Sequence, residues 1–143
     1  MSEKSKYTKE ARRWFEQAYE DLISARILYN NQRYYLVCFL SQQIAEKALK
    51  AVIYYNKEAL VLGHSVKKLS DWAGKFDKKF KNLGKDISIL DSYYIPARYP
   101  NGLPEGIPAE IFNERAAKSA LDLAEETIQI VREYLHFKEP IKR

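Results

Sequence analysis

Phe39-Leu40-Ser41-Gln42-Gln43-Ile44-Ala45-Glu46-Lys47-Ala48-Leu49-Lys50-Ala51 is the stretch whose reading decides the fold. In and around it, Leu36, Val37, Leu40, Ile44, Ala45, Ala48, Leu49, Val52 and Ile53 point in nearly every direction about a helical axis. A helix over about residues 33–57 therefore needs apolar partners on more than one side. Its polar residues gather on one strip, where Gln42, Gln43, Glu46, Lys47 and Lys50 span an arc of about 140° at helical spacing. Such a helix is the central member of a bundle, half of a dimer interface, or both.

Before it, Ala11, Phe15, Ala18, Leu22, Ala25 and Tyr29 recur at steps of three and four, which predicts a first helix over about 8–30 with one apolar stripe. Asp21 falls on the flank of that stripe, between Trp14 and Leu28, so its carboxylate needs a cation or a hydrogen-bond donor. After the central helix, Gly63-His64-Ser65 punctuates the chain, and Ser65 is a good N-cap for a helix carrying Val66, Leu69, Trp72, Ala73 and Phe76. A further helical segment is expected over about 83–94. A proline-rich loop follows through Pro108, and a last helix over about 109–137 has Ala117, Ala120, Ala124, Thr127, Val131 and Tyr134 inward. No segment alternates with the period of a strand. The expectation is an all-α, up-and-down bundle of four to five helices, one domain spanning 1–143 with its core at about 8–137.

Composition agrees with that reading. The 143 residues are 46% hydrophobic and 30% charged, with only five Gly and five Pro, a globular profile with room for a core. The longest apolar run, Tyr34 to Leu40, is far too short to span a bilayer, and Met1 to Lys6 lacks the apolar centre of a signal peptide. A cytoplasmic location is expected. Cys38 is the one cysteine, so no internal disulfide can form and a buried, inert thiol is expected. The net charge of +5 is a mild pointer to an anionic partner. It is uneven: Lys67, Lys68, Lys75, Lys78, Lys79, Lys81 and Lys85 are answered nearby only by Asp71, Asp77 and Asp86.

Much chemistry is excluded. There is no glycine-rich phosphate loop, and one Cys with two His cannot build a zinc finger. No metal or cofactor is expected. What remains is Tyr94-Ile95-Pro96-Ala97-Arg98-Tyr99-Pro100, where two prolines bracket an arginine between tyrosines. Each proline pushes its predecessor toward extended geometry, so Ile95 and Tyr99 should leave the helix and present Arg98 on a stiff segment. The planar guanidinium suits a phosphate, a carboxylate or a stacked base. The plainer alternative is an arginine paired with a nearby Asp or Glu.

Together these stretches resemble a known family. Trp14, Ala18, Asp21-Leu22 and Ala25 lead into Phe39 to Ala51, then Gly63-His64-Ser65-Val66 and Leu69, then Leu90-Asp91 and Tyr94 to Pro100. In that order, over about 11–135, they are similar to the HEPN domain, the "higher eukaryotes and prokaryotes nucleotide-binding" family. The resemblance implies a helical bundle that commonly forms homodimers and associates with nucleotides or RNA. It also implies a frequent small nucleotidyltransferase partner in a toxin–antitoxin-like pair. Arg98 and Lys47 would then contact phosphates, Tyr94 or Tyr99 would stack a base, and His64 or Asp21 would bond to ribose or base edges, with Gln43 in the same nucleotide-binding set.

Many members of the family are metal-independent ribonucleases marked by an Arg, four to six intervening residues and a His. The three positions so placed after Arg98 are Leu103, Pro104 and Glu105, and those so placed before His64 are Lys57, Glu58 and Ala59. Arg132 and His136 are too close together. The expectation is therefore a nucleotide- or RNA-binding module with no catalytic residues assigned. The alternatives are a ribonuclease with a nonstandard site at His64 and Arg98, or an interaction subunit that binds no nucleotide. In either binding reading, Asp21, Lys47, His64 and Arg98 are expected to share one cleft.

Overall fold

The computed structural model describes residues 3–137 and is entirely helical among them. Six α-helices occur in the order α1 (Glu3–Asn30), α2 (Tyr34–Tyr55), α3 (Val66–Ala73), α4 (Lys78–Ile87), α5 (Pro108–Ile111) and α6 (Glu114–Leu135). Two short 3-10 turns, Ser88–Tyr93 and Pro100–Gly102, lie between α4 and α5. No described helix is long and apolar enough to cross a membrane.

α1 buries the stripe its spacing announces: Ala11, Phe15, Ala18, Leu22 and Ala25 are all inaccessible or nearly so. Its end is a Schellman motif. Gln32 adopts a left-handed φ of 64°, Arg33 N–H reaches Leu28 O at 2.9 Å, and Gln32 N–H reaches Tyr29 O at 3.0 Å. The chain reverses there, and α2 packs back along α1. α2 is the centre of the molecule, covered by α1, α6, α3 and the first 3-10 turn. Val37, Ile44, Ala45, Ala48, Leu49, Val52 and Ile53 are wholly buried within one chain. Most of the apolar excess of α2 thus finds its partners inside the bundle, while Leu36 and Leu40 near its start stay half-buried. Cys38 is also fully buried, and burial pushes its thiol up to about 12, too high to furnish a thiolate.

Several boundaries differ from expectation: α1 already begins at Glu3, and α3 ends at Ala73, before Phe76. α4 begins at Lys78 rather than near residue 83, because Asp77 caps it by accepting from Lys79 N–H at 3.0 Å. It gives way at Ser88 to the 3-10 turn. The expected last helix is broken at Phe112, which is extended; Asn113 then caps α6, accepting from Ala116 N–H at 3.0 Å, and α5 is left as a single turn.

α3 and α4 lie against each other with no space for a side chain at Gly84. A Cβ there would come within 2.6 Å of Ser70 Cβ, and Ser70 is itself buried. Gly84→Ala is therefore expected to cost roughly 1–3 kcal/mol, the usual penalty for overpacking, read as a lower urea midpoint at unchanged slope. An unchanged midpoint would mean that the two helices part freely.

Candidate functional site

The polar strip of α2 does not face solvent. Gln42, Glu46 and Lys50 are buried, and Glu46 is the hub of the group. Lys50 Nζ lies 3.1 Å from Glu46 Oε2 and 5.2 Å from the centre of the Trp14 ring. His64 Nδ1 lies 3.2 and 3.3 Å from the two Glu46 oxygens. Gln42 Nε2 donates to His64 O at 2.7 Å, and Gln43 Nε2 donates to Gln42 Oε1 at 2.8 Å. A carboxylate this far from water persists only when its lone pairs are matched, and an ammonium and an imidazole match them here. A carboxylate oxygen is an acceptor, so this contact suits the tautomer that carries its proton on Nδ1 and leaves Nε2 out of the Glu46 bond. The His64 side chain is 60% exposed while Glu46 is 5% exposed, so the pair runs from core to surface.

His64 is aimed by local backbone. Gly63 has φ of +100°, a turn conformation that side-chain-bearing residues avoid, and the Gln42 hydrogen bond holds the next carbonyl. Asp91 then ties the start of α3 to the first 3-10 turn. Its carboxylate accepts from Ser65 Oγ at 3.1 Å, Val66 N–H at 2.7 Å and Lys67 N–H at 3.1 Å. This clamp sets His64 against Tyr94, whose ring stacks on the imidazole at 5.1 Å with 20° between planes.

Of the two residues before prolines, Tyr99 turns extended, while Ile95 lies in a turn. Ile95 to Arg98 form a turn closed by Arg98 N–H to Ile95 O at 3.0 Å, Ala97 is fully buried as its anchor, and Tyr99 is extended before Pro100. Arg98 Nε donates to Tyr94 O at 2.6 Å. Its guanidinium carbon lies 4.6 Å from the Phe39 ring centre, 4.5 Å from Tyr94 and 5.0 Å from Tyr99. No described Asp or Glu pairs with it, so the carboxylate-bound alternative is not what the fold adopts. Three rings hold the cation from its sides, and its terminal amino groups have no protein partner among the described residues.

Asp21 and Lys47 make a separate arrangement. Lys47 Nζ lies 2.5 Å from Asp21 Oδ2, and Gln17 Nε2 donates to Asp21 Oδ1 at 2.9 Å. Lys47 lines an open groove of about 680 Å³ beside Glu10, Arg13, Trp14 and Glu20. The flanking carboxylate of α1 has therefore found its cation within the bundle. Of the residues expected in one cleft, His64 and Arg98 meet around Tyr94, with Tyr99 alongside and Gln43 joined through Gln42. Asp21 and Lys47 meet each other in the neighbouring groove, and no hydrogen bond or ion pair among the described residues joins either of them to His64 or Arg98.

Sequence reasoning missed Phe39, Glu46, Lys50 and Asp91 as parts of this site. A Glu46–Lys50 pair at i, i+4 is ordinary on a surface helix; on a helix apolar nearly all round it was the available signal. Among the described residues no group of three His, Cys, Asp or Glu side chains could hold a metal ion.

Comparison with known proteins now gives this geometry its family. The HEPN domain profile matches residues 11–134. The crystal structure of TT1696 from Thermus thermophilus superposes with a TM-score of 0.71 at 34% identity, covering 86% of this chain and 96% of that one. ST0689, described as an archaeal HEPN homologue, gives 0.70 at 32% identity, covering 87% and 97%. A protein named "Putative toxin MJ1304" from Methanocaldococcus jannaschii is 27% identical over 147 residues, 94% of each chain. With its whole bundle matched in both sequence and structure, this chain belongs to the HEPN domain family.

Proposed function

We propose that the chain is a toxin-like HEPN module that binds a nucleotide or RNA through its phosphate at Arg98, with Tyr94 or Tyr99 offering a ring to a base and His64 a polar contact. The observation that carries this reading is the guanidinium of Arg98, caged by Phe39, Tyr94 and Tyr99 yet not paired with any described carboxylate. A cation so fixed favours an anion with planar or tetrahedral oxygens, which the terminal amino groups can grip in parallel. Similarity to a protein named as a toxin supports a toxin-like setting, and the small nucleotidyltransferase partner implied by the family resemblance belongs to the same proposal. So does the homodimer. Its surface would lie away from α2, where Ile23 and Ile27 on α1 or Leu60 and Leu62 before α3 are exposed.

A ribonuclease is the second reading, and the Glu46–His64 hydrogen bond favours it. A carboxylate that fixes one imidazole nitrogen leaves the other available for proton transfer, and the guanidinium packed on the same Tyr94 ring could stabilise phosphorane charge. Titration with a mononucleotide and a short RNA at several salt concentrations, with the RNA recovered and sized, separates the readings. Binding that weakens with salt and leaves the RNA intact is the expected result. Metal-independent cleavage abolished by His64→Ala would establish the second reading instead. Absence of binding to either probe would leave an interaction subunit.

A further inference from the structure

The exposed side of α4 carries Lys78, Lys81 and Lys85 on one row at steps of three and four, rising roughly 10 Å along the helix. None of the three pairs with a carboxylate among the described residues. The acids beside them are engaged: Asp77 caps α4 and lies 3.7 Å from Lys79 Nζ, and Asp71 holds Lys67 at 3.1 Å. Asp86 is the one acidic residue within α4 itself. Three like charges on a single row repel one another by a few tenths of a kcal/mol per pair, a repulsion that an anion lying on the row would relieve. Lys68 and Lys75 on the adjoining α3 side are likewise exposed and without carboxylate partners.

The position of this row matters more than its charge. α3 starts directly after His64 and Ser65, and α4 packs tightly back against it at Gly84 and Ser70. The C-terminal end of α4, where Lys85 sits, runs straight into the 3-10 turn that ends at Tyr93, one residue before the ring that carries both His64 and Arg98. The lysine row therefore lies on the helix that feeds directly, through one 3-10 turn, into the aromatic arginine site. Successive rises of about 4.5 and 6 Å between its members are commensurate with neighbouring phosphates on a flexible strand.

We propose that Lys78, Lys81 and Lys85 form a phosphate track that guides a single-stranded RNA into the site around Arg98 and His64. The proposal rests on the reading of that site as phosphate-binding and sharpens it: the ligand is a strand several nucleotides long, not a free mononucleotide.

The test compares fluorescently labelled dodecauridylate with uridine monophosphate, on the wild-type chain, the triple variant K78Q/K81Q/K85Q and Arg98→Ala. The three lysines are exposed, so their replacement leaves the core intact, and an unchanged helical spectrum verifies this. Wild type should bind the dodecamer at least about tenfold more tightly than the monophosphate. The triple variant should lose most of that advantage while holding the monophosphate as before, and its log–log salt slope for the dodecamer should fall by about 2, the share of three single-strand contacts. A dodecamer bound no more tightly than the monophosphate, or bound equally by the triple variant, overturns the track. Monophosphate binding lost in Arg98→Ala under that outcome leaves the arginine site standing. Dodecamer binding that needs the lysines but ignores Arg98 upholds the row as a strand-binding surface and overturns its guidance to Arg98. No binding of either probe overturns both readings.

Discussion

Replacing Arg98 by Ala should weaken nucleotide or RNA binding by roughly 1.5–3 kcal/mol, about 10- to 150-fold, the range for a hydrogen bond to a charged group. The folded chain should tolerate the change, because the guanidinium makes no ion pair whose loss would strand a carboxylate. Its one protein hydrogen bond is to the Tyr94 carbonyl. Arg98→Lys should restore only part of the affinity: the charge returns, while the planar fork and its stacking against three rings do not. Calorimetric titration of the three proteins with the same nucleotide decides the matter. Equal affinity of Arg98→Ala and wild type would remove the anion site, and a lowered melting temperature with no change in binding would recast Arg98 as a structural cation.

The largest expected loss of stability comes from Glu46→Ala. The Lys50 side chain is 6% exposed and Glu46 is 5% exposed, so truncation leaves an ammonium in the interior without its anion. Breaking such a pair on one side costs about 3–5 kcal/mol, whereas replacing both members by groups of similar volume is often neutral. Glu46→Gln combined with Lys50→Met should accordingly recover most of what Glu46→Ala loses, with Gln still able to bond to His64. Urea unfolding of the two variants and wild type measures this directly. A cost below about 1 kcal/mol for Glu46→Ala would show that the ammonium of Lys50 escapes to water along its flexible stem.

Much of the bundle is legible because its helices have simple stripes. The α1 stripe, the Ser65 cap and the extended Tyr99 follow from spacing and proline geometry. Spacing alone starts α4 too late, because its opening residues are lysines with little apolar pattern; Asp77 is the informative residue, through capping rather than periodicity. The break before α6 is hidden for the same reason, since Asn113 interrupts a segment whose apolar spacing continues across it. The breadth of the apolar arc on α2 speaks equally for a bundle centre and a dimer face, and its place between α1, α6 and α3 makes it the bundle centre. At the site, His64, Tyr94 and Arg98 stand out as residues. Their meeting depends on Asp91 reaching across more than twenty residues of sequence, which no local pattern announces.

That clamp has a consequence for when the site exists. Its two halves belong to different stretches of chain, His64 before α3 and Tyr94 with Arg98 after α4, and Asp91 is what brings them into register. A chain in which α1 and α2 have paired, but residues 88–98 have not yet docked, owns a bundle core and no anion site. A ligand held by both halves must favour the docked form over the open one, by as much as it prefers the assembled site. Binding and the docking of residues 88–98 are thereby coupled into one equilibrium.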